Sequence, residues 1–269
     1  MADGCHGLCP FGTTSEANSV GMGERMEMLE QLIAAGLPAA QLMPGTGMCA
    51  IPDAVTLTRH AVEQGCGGVL MLPPFYYKGV SDDGLFRAFA EVIERVGDTR
   101  LRVYLYHIPP VSQVGISLAL IERLIAAYPQ TVVGIKDSSG DWNNLHALLT
   151  NFPGFGIFSG SERFLLDVIK LGGAGSINAV ANLIAPLQRR LYDNWQSAEA
   201  DEWQEAVNRM RPIYQDVPAI PALKAMVADI RQDEGWRHVR PPFTLPTDAQ
   251  VKDLMERFAA TGLLEMQAA

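Results

Sequence analysis

The chain has 269 residues, 48% of them hydrophobic, with a mean hydropathy of +0.07, enough to bury one α/β barrel or the cores of two ordinary domains. A net charge of −9 and an isoelectric point near 5.0 exclude the basic footprint of a nucleic-acid-binding protein, so an anionic substrate here needs local donors. No run of about 18 apolar residues occurs, and the opening residues lack a basic stretch followed by an apolar one, which predicts a soluble, cytoplasmic protein with no membrane partner.

Seven short apolar runs read as strands in chain order, at 6–12, 41–46, 67–73, 101–107, 131–137, 155–160 and 173–178. Helix-period segments lie between them: Leu85, Phe89, Val92 and Val96 share one stripe over 82–96, and Leu120, Leu124 and Tyr128 share one over 116–128. This alternation predicts a parallel α/β fold, and the strand spacing suits the roughly 30 residues per βα unit of an eightfold TIM barrel. A doubly wound sheet alternates as well, but no G-x-G-x-x-G follows the first strand. Four helices then follow in succession, at 184–197, 199–214, 219–232 and 247–261, with a Pro-rich break at 241–246. The expected division is a barrel over 1–197 and a helical C-terminal extension over 198–269.

Seven strands do not close an eight-stranded barrel. The expectation is that the first βα unit is absent, with the chain starting late relative to its natural initiation and strand edges at 6–12 and 173–178 left unpaired. Cys5, Cys9, Cys49 and Cys66 show neither paired CxxC spacing nor a following His-x₃₋₅-His. They read as reduced, buried thiols, the alternative being a metal site built from Cys5, His6 and Cys9.

The chemistry-bearing residues stand at the ends of separate strands. Lys136 ends the run Val132-Val133-Gly134-Ile135-Lys136 just before Asp137-Ser138-Ser139-Gly140-Asp141. In a barrel strand its amine projects into a water-poor pocket at the C-terminal face, where desolvation lowers a lysine pKa and the free amine attacks a ketone to form a Schiff base. The plain alternative is a solvated lysine capping a strand. Gly12-Thr13-Thr14-Ser15-Glu16 offers hydroxyls and main-chain N–H groups suited to a small carboxylate, or else a strand-to-helix turn capped by threonine. Tyr106, in Tyr106-His107-Ile108-Pro109, is a proton shuttle or a packing residue. Pro73-Pro74-Phe75-Tyr76-Tyr77 supplies aromatics at a fourth strand end.

Taken together and in this order, Gly-Thr-Thr-x-Glu, Tyr-x-x-Pro and Gly-x-Lys-Asp-x-Ser-Gly-Asp resemble the dihydrodipicolinate synthase/N-acetylneuraminate lyase family of class I pyruvate-dependent aldolases. The resemblance extends through Phe158-Ser159-Gly160-Ser161-Glu162 and Gly175-Ser176-Ile177-Asn178, and back to the opening Ala2-Asp3-Gly4. It implies that Lys136 forms the Schiff base with a 2-oxo acid, usually pyruvate, and that Tyr106 relays protons. It implies that Thr13 and Thr14 divide two tasks, one holding the substrate carboxylate and one linking tyrosines into the relay. Tyr76, or Tyr77 one position on, matches a tyrosine brought across a subunit interface, and Ile177 matches the apolar residue beside pyruvate. No metal or organic cofactor is implied, because the iminium is the electron sink; a homotetramer built from dimers is.

The sequence departs from this pattern at two positions. Val111 stands where synthases that use aspartate semialdehyde carry an arginine, so a bidentate carboxylate clamp is missing. His107 replaces an asparagine, and reads as a substrate contact or, preferably, as a donor to nearby backbone. The resulting expectation is a Schiff-base lyase or aldolase acting on a 2-oxo acid. The alternatives are 4-hydroxy-tetrahydrodipicolinate synthase itself, a sugar-acid dehydratase using the same lysine, and a non-catalytic pyruvate-binding paralogue.

Overall fold

The computed structural model describes residues 3–268. Met1, Ala2 and Ala269, which bound the two expected domains, lie outside the described residues, as does the Ala2 of the opening-loop resemblance. Five strands form one parallel sheet in sequence order: β1 (Val69–Met71), β2 (Val103–His107), β3 (Val132–Asp137), β4 (Gly156–Ser159) and β5 (Gly175–Ser176). Two further segments continue the parallel order through single bridges, Gly45 to Leu70 and Leu8 to Leu42. The runs predicted as strands at 6–12 and 41–46 are therefore reduced to isolated bridges. Pro10 and Pro44 cannot donate to a ladder, and Phe11 turns to a left-handed φ of 58°, which ends extended pairing. Among the described residues no ladder joins the Leu8 segment to β5.

Strand alternation builds two layers. Val103, Leu105, Val132, Ile135 and Ile157 face outward into the core shared with the surrounding helices, whereas Tyr104 and Tyr106 face inward with Cys9, Met43, Leu70 and Leu72. Gly134 is required by this inner layer: a Cβ there would lie 2.4 Å from the Tyr104 ring and 2.5 Å from the Gly156 carbonyl oxygen. The helices of the outer layer are α1 (Met22–Ala34), α2 (Ile51–Glu63), α3 (Asp82–Val96), the single turn α4 (Pro109–Ser112), α5 (Leu118–Ala127), α6 (Trp142–Asn151) and α7 (Leu165–Lys170). The stripe read over 82–96 is α3 itself. Ser81 caps it by accepting from the Gly84 N–H, Asp82 and Asp83 sit in its first turn, and Gly97 ends it at φ 63°.

The remaining helices are α8 (Ala181–Asp193), α9 (Ala200–Asn208), α10 (Ala219–Arg231), α11 (Asp248–Ala259) and α12 (Leu263–Ala268). The helix expected over 184–197 starts earlier and ends sooner; Pro186 sits inside α8 and Ile184 leaves helical geometry at φ −127°. That expected over 199–214 breaks after Asn208, and a separate 3₁₀ turn over Arg211–Ile213 follows, with Pro212 inside it. A second apolar core joins α7 and α8 to the helices beyond, through Leu187, Leu191, Met210, Leu223, Met226, Leu254 and Phe258. Among the described residues no helix is long and apolar enough to cross a membrane.

Candidate active site

Parallel strands align their C-terminal ends, and that alignment assembles the candidate site. Tyr106 on β2 is the register partner of Lys136 on β3, and His107 is the partner of Asp137. Both members of the first pair point into the barrel. Lys136 is 9% exposed and Tyr106 is 3% exposed. The Lys136 Nζ donates to the Tyr106 hydroxyl at 3.4 Å and lies 4.5 Å from the centroid of that ring. The Thr13 Oγ1 stands 3.1 Å from the same hydroxyl. The Tyr106 hydroxyl is thus the shared neighbour of the Lys136 amine and the Thr13 hydroxyl, which joins the ends of β2 and β3 to the 12–16 turn.

The polar loop after Lys136 fixes that strand end. Asp137 is buried, and its carboxylate accepts from the Ser139 N–H at 2.8 Å and from the Asn144 side-chain amide at 3.0 Å. Asp141 caps α6 by accepting from the Asn143 N–H at 2.9 Å, after a turn that Gly140 makes at φ 75°. Asn144 escaped sequence reading; the signal available was Asp141 as an N-cap, which places residue 144 in a first helical turn beside the strand end.

His107 corrects an expectation. It does not donate to backbone: its Nδ1 accepts from the Ile116 N–H at 3.0 Å, which leaves the proton of the neutral ring on Nε2. The reason is local, because the turn after α4 aims a backbone donor at the ring. Burial holds the His107 pKa below the usual 6.5, against the opposing pull of the Asp137 charge. The unfolded chain therefore takes up that proton more readily, and the stability involved is present above the ordinary histidine range and lost as pH falls below it. The thermal midpoint is expected to be lower at about pH 5 than at about pH 7, and the difference to shrink in His107→Asn. Thermal denaturation of both proteins across that range checks this; an equal pH difference in the variant would assign the effect elsewhere.

The other candidates are placed as follows. Thr14 is half-buried beside Thr13, and Ile177 is half-buried just past β5, its N–H donating to the Ser159 carbonyl at 2.9 Å. Tyr76 and Tyr77 are each 73% exposed and stack edge to face at 5.4 Å. Neither is brought to the Thr13–Tyr106 pair within this chain. Val111 is 63% exposed on α4. Lys78, also not anticipated, ties the aromatic loop to that turn by donating to the Ser112 carbonyl at 2.7 Å and to the Phe75 carbonyl.

Cys5, His6 and Cys9 do not gather as ligands. The His6 ring packs edge-on against Tyr192 at 5.0 Å, Cys9 lines the inner layer, and among the described residues no three His, Cys, Asp or Glu side chains form a metal-binding group. Burial pushes the Cys9 thiol pKa up and that of Cys66 up to about 11, which keeps both as inert thiols near neutrality.

The sequence profile of the dihydrodipicolinate synthetase family matches residues 1–260. An uncharacterized DapA-like lyase of Chloroflexus aurantiacus is 34% identical over 227 residues, spanning 84% of this chain and 75% of that protein. A 4-hydroxy-tetrahydrodipicolinate synthase of Thermus thermophilus is 30% identical over 267 residues, spanning 97% and 87%. The crystal structure of dihydrodipicolinate synthase from Agrobacterium tumefaciens aligns with a TM-score of 0.86 at 32% identity, over 97% of this chain and 88% of that one.

Proposed function

The chain belongs to the dihydrodipicolinate synthetase family of Schiff-base lyases and aldolases, and from that premise we propose that it cleaves a 4-hydroxy-2-oxo acid to pyruvate and an aldehyde through Lys136. The observation that carries this reading is the line Lys136 Nζ, Tyr106 hydroxyl, Thr13 Oγ1, with contacts of 3.4 and 3.1 Å. The neutral amine adds to the C2 carbonyl, and the carbinolamine loses water to give the iminium. Tyr106 gives its proton to the hydroxide that departs from the carbinolamine as water, and the phenolate so formed takes the proton of the C4 hydroxyl; the C3–C4 bond breaks, and its electron pair passes into the iminium nitrogen as the aldehyde leaves. The enamine regains a proton at C3, and water returns the lysine as pyruvate departs. Neither a metal nor an organic cofactor is needed, because the iminium accepts the electrons.

Thr13, already on the Tyr106 hydroxyl, is the relay partner in this scheme, leaving Thr14 and the turn's N–H groups for the substrate carboxylate and Ile177 for the apolar side of the pyruvyl group. His107 takes no part in substrate contact in this scheme, its buried ring accepting from the Ile116 N–H. Val111 favours cleavage of a sugar acid or similar substrate over synthase chemistry, since no guanidinium stands there to clamp aspartate semialdehyde. The exposed Tyr76 and Tyr77 support a homotetramer of paired dimers in which Tyr76 enters the site of a second copy. The domains assigned are the barrel over 1–197 and the extension over 198–269, in a cytoplasmic protein with no nucleic-acid or membrane partner.

The test is pyruvate release from a panel of 4-hydroxy-2-oxo acids and sugar acids, with condensation of pyruvate and aspartate semialdehyde run alongside. Release from one of the panel is expected. Efficient condensation with aspartate semialdehyde and no release from any panel member would place the protein in the synthase branch instead.

A further inference from the structure

The turn that carries Thr13 and Thr14 is held from outside the barrel. Glu16 closes this turn by donating its N–H to the Thr13 carbonyl at 3.1 Å. It does so at a left-handed φ of 54°, which a residue with a long side chain keeps only where its surroundings hold it. Its carboxylate is 8% exposed. One oxygen accepts from the Lys224 Nζ on α10 at 2.7 Å, and the other accepts from the Arg240 N–H at 2.7 Å. Around this centre the Ser19 hydroxyl donates to the Pro241 carbonyl at 2.9 Å. The Arg240 guanidinium donates to the Ser19 carbonyl at 3.2 Å and to both oxygens of Glu24 at 2.8 and 3.0 Å.

The end of β3 shows the contrast. Asp137 is fixed by Ser139 and Asn144, its own near neighbours in sequence, whereas the 12–16 turn takes its strongest partners from the far end of the chain. We infer that Glu16 is a positioning residue for the Thr13–Thr14 turn, clamped by Lys224 and the Arg240 amide so that the C-terminal helices set where the substrate carboxylate is held. This rests on the assignment of that turn as the carboxylate site. The clamp reaches the reacting amine by contact alone, from Lys224 through Glu16 and the turn to Thr13, Tyr106 and Lys136. It also has an electrostatic side: Lys224 neutralises a buried carboxylate next to a turn that must accept a second one, and without it the two anions repel.

The experiment measures the rate of pyruvate adduct formation, trapped by borohydride, as a function of pyruvate concentration in the full chain and in Lys224→Met, Lys224→Arg, Glu16→Gln and the Glu16→Gln/Lys224→Met double variant. Lys224→Met is expected to raise the half-saturating pyruvate concentration by about 10-fold with a smaller fall in the saturated rate. Lys224→Arg is expected to restore most of that loss, and the double variant to recover part of it by removing the unpaired charge. Should Lys224→Met not fold, by circular dichroism, Glu16→Gln carries the same reading, because it weakens the clamp while keeping the side chain's shape. A wild-type chain that traps pyruvate beside folded variants with unchanged half-saturation overturns this inference alone. A wild-type chain that forms no adduct overturns the Schiff-base reading and the clamp with it.

Discussion

Lys136→Ala is expected to fall below about one per cent of the wild-type turnover while keeping the fold. Among the described residues, the Lys136 amine is the only group at the site that can form a carbon–nitrogen double bond with a ketone, and no general acid or base substitutes for that bond. The fold tolerates the change because Lys136 is the partner of a phenol and an aromatic ring rather than of a buried carboxylate. Truncation therefore leaves no opposite charge stranded, the circumstance that makes deletion of one partner of a buried ion pair so costly. Turnover and thermal denaturation measured on one preparation separate the two effects. More than a few per cent of activity in a folded variant would remove Lys136 from the mechanism.

Tyr106→Phe is expected to lower the catalytic rate by about 10²-fold, within the span usual for a positioned acid–base group, and to slow adduct formation. The hydroxyl is the common neighbour of the Lys136 amine and the Thr13 hydroxyl, so its loss interrupts proton movement at both the imine-forming and bond-breaking steps. The ring stays packed with Leu70 and Ile108, so the stability change should remain within about 1 kcal/mol, the scale of one hydrogen bond. Thr13→Val added to Tyr106→Phe should cost much less than it does alone, since the two hydroxyls act through one contact. An unchanged rate in Tyr106→Phe would assign the relay to another group.

The parts of the molecule legible in the sequence are those fixed by short-range pattern. Alternation along β2 separates Val103 and Leu105, which face the helices, from Tyr104 and Tyr106, which face inward, and a period of two needs no tertiary information. The stripe from Leu85 to Val96 marks α3 with its bounds because Ser81 and Gly97 cap it locally. Lys136 was visible as a lysine ending a β-branched run. The apolar runs at 6–12 and 41–46 are longer than the pairing they make, because Pro10 and Pro44 lack the N–H groups a ladder needs. Lys78 and Lys224 are not legible in the same way: the first reaches Ser112 and the second Glu16, turns that topology, not sequence spacing, brings near. His107 stands out in the sequence as a departure from the family pattern, but its role as an acceptor depends on where the Ile116 N–H points, which no local pattern records.

Incubation with pyruvate and sodium borohydride, followed by intact mass and peptide mapping, tests the central claim most directly. The chain carries five lysines, Lys78, Lys136, Lys170, Lys224 and Lys252, and reduction fixes the imine on whichever of them formed it. One pyruvyl adduct on the Lys136 peptide is the predicted result. An adduct on another lysine, or a folded protein that takes up none, would contradict the account.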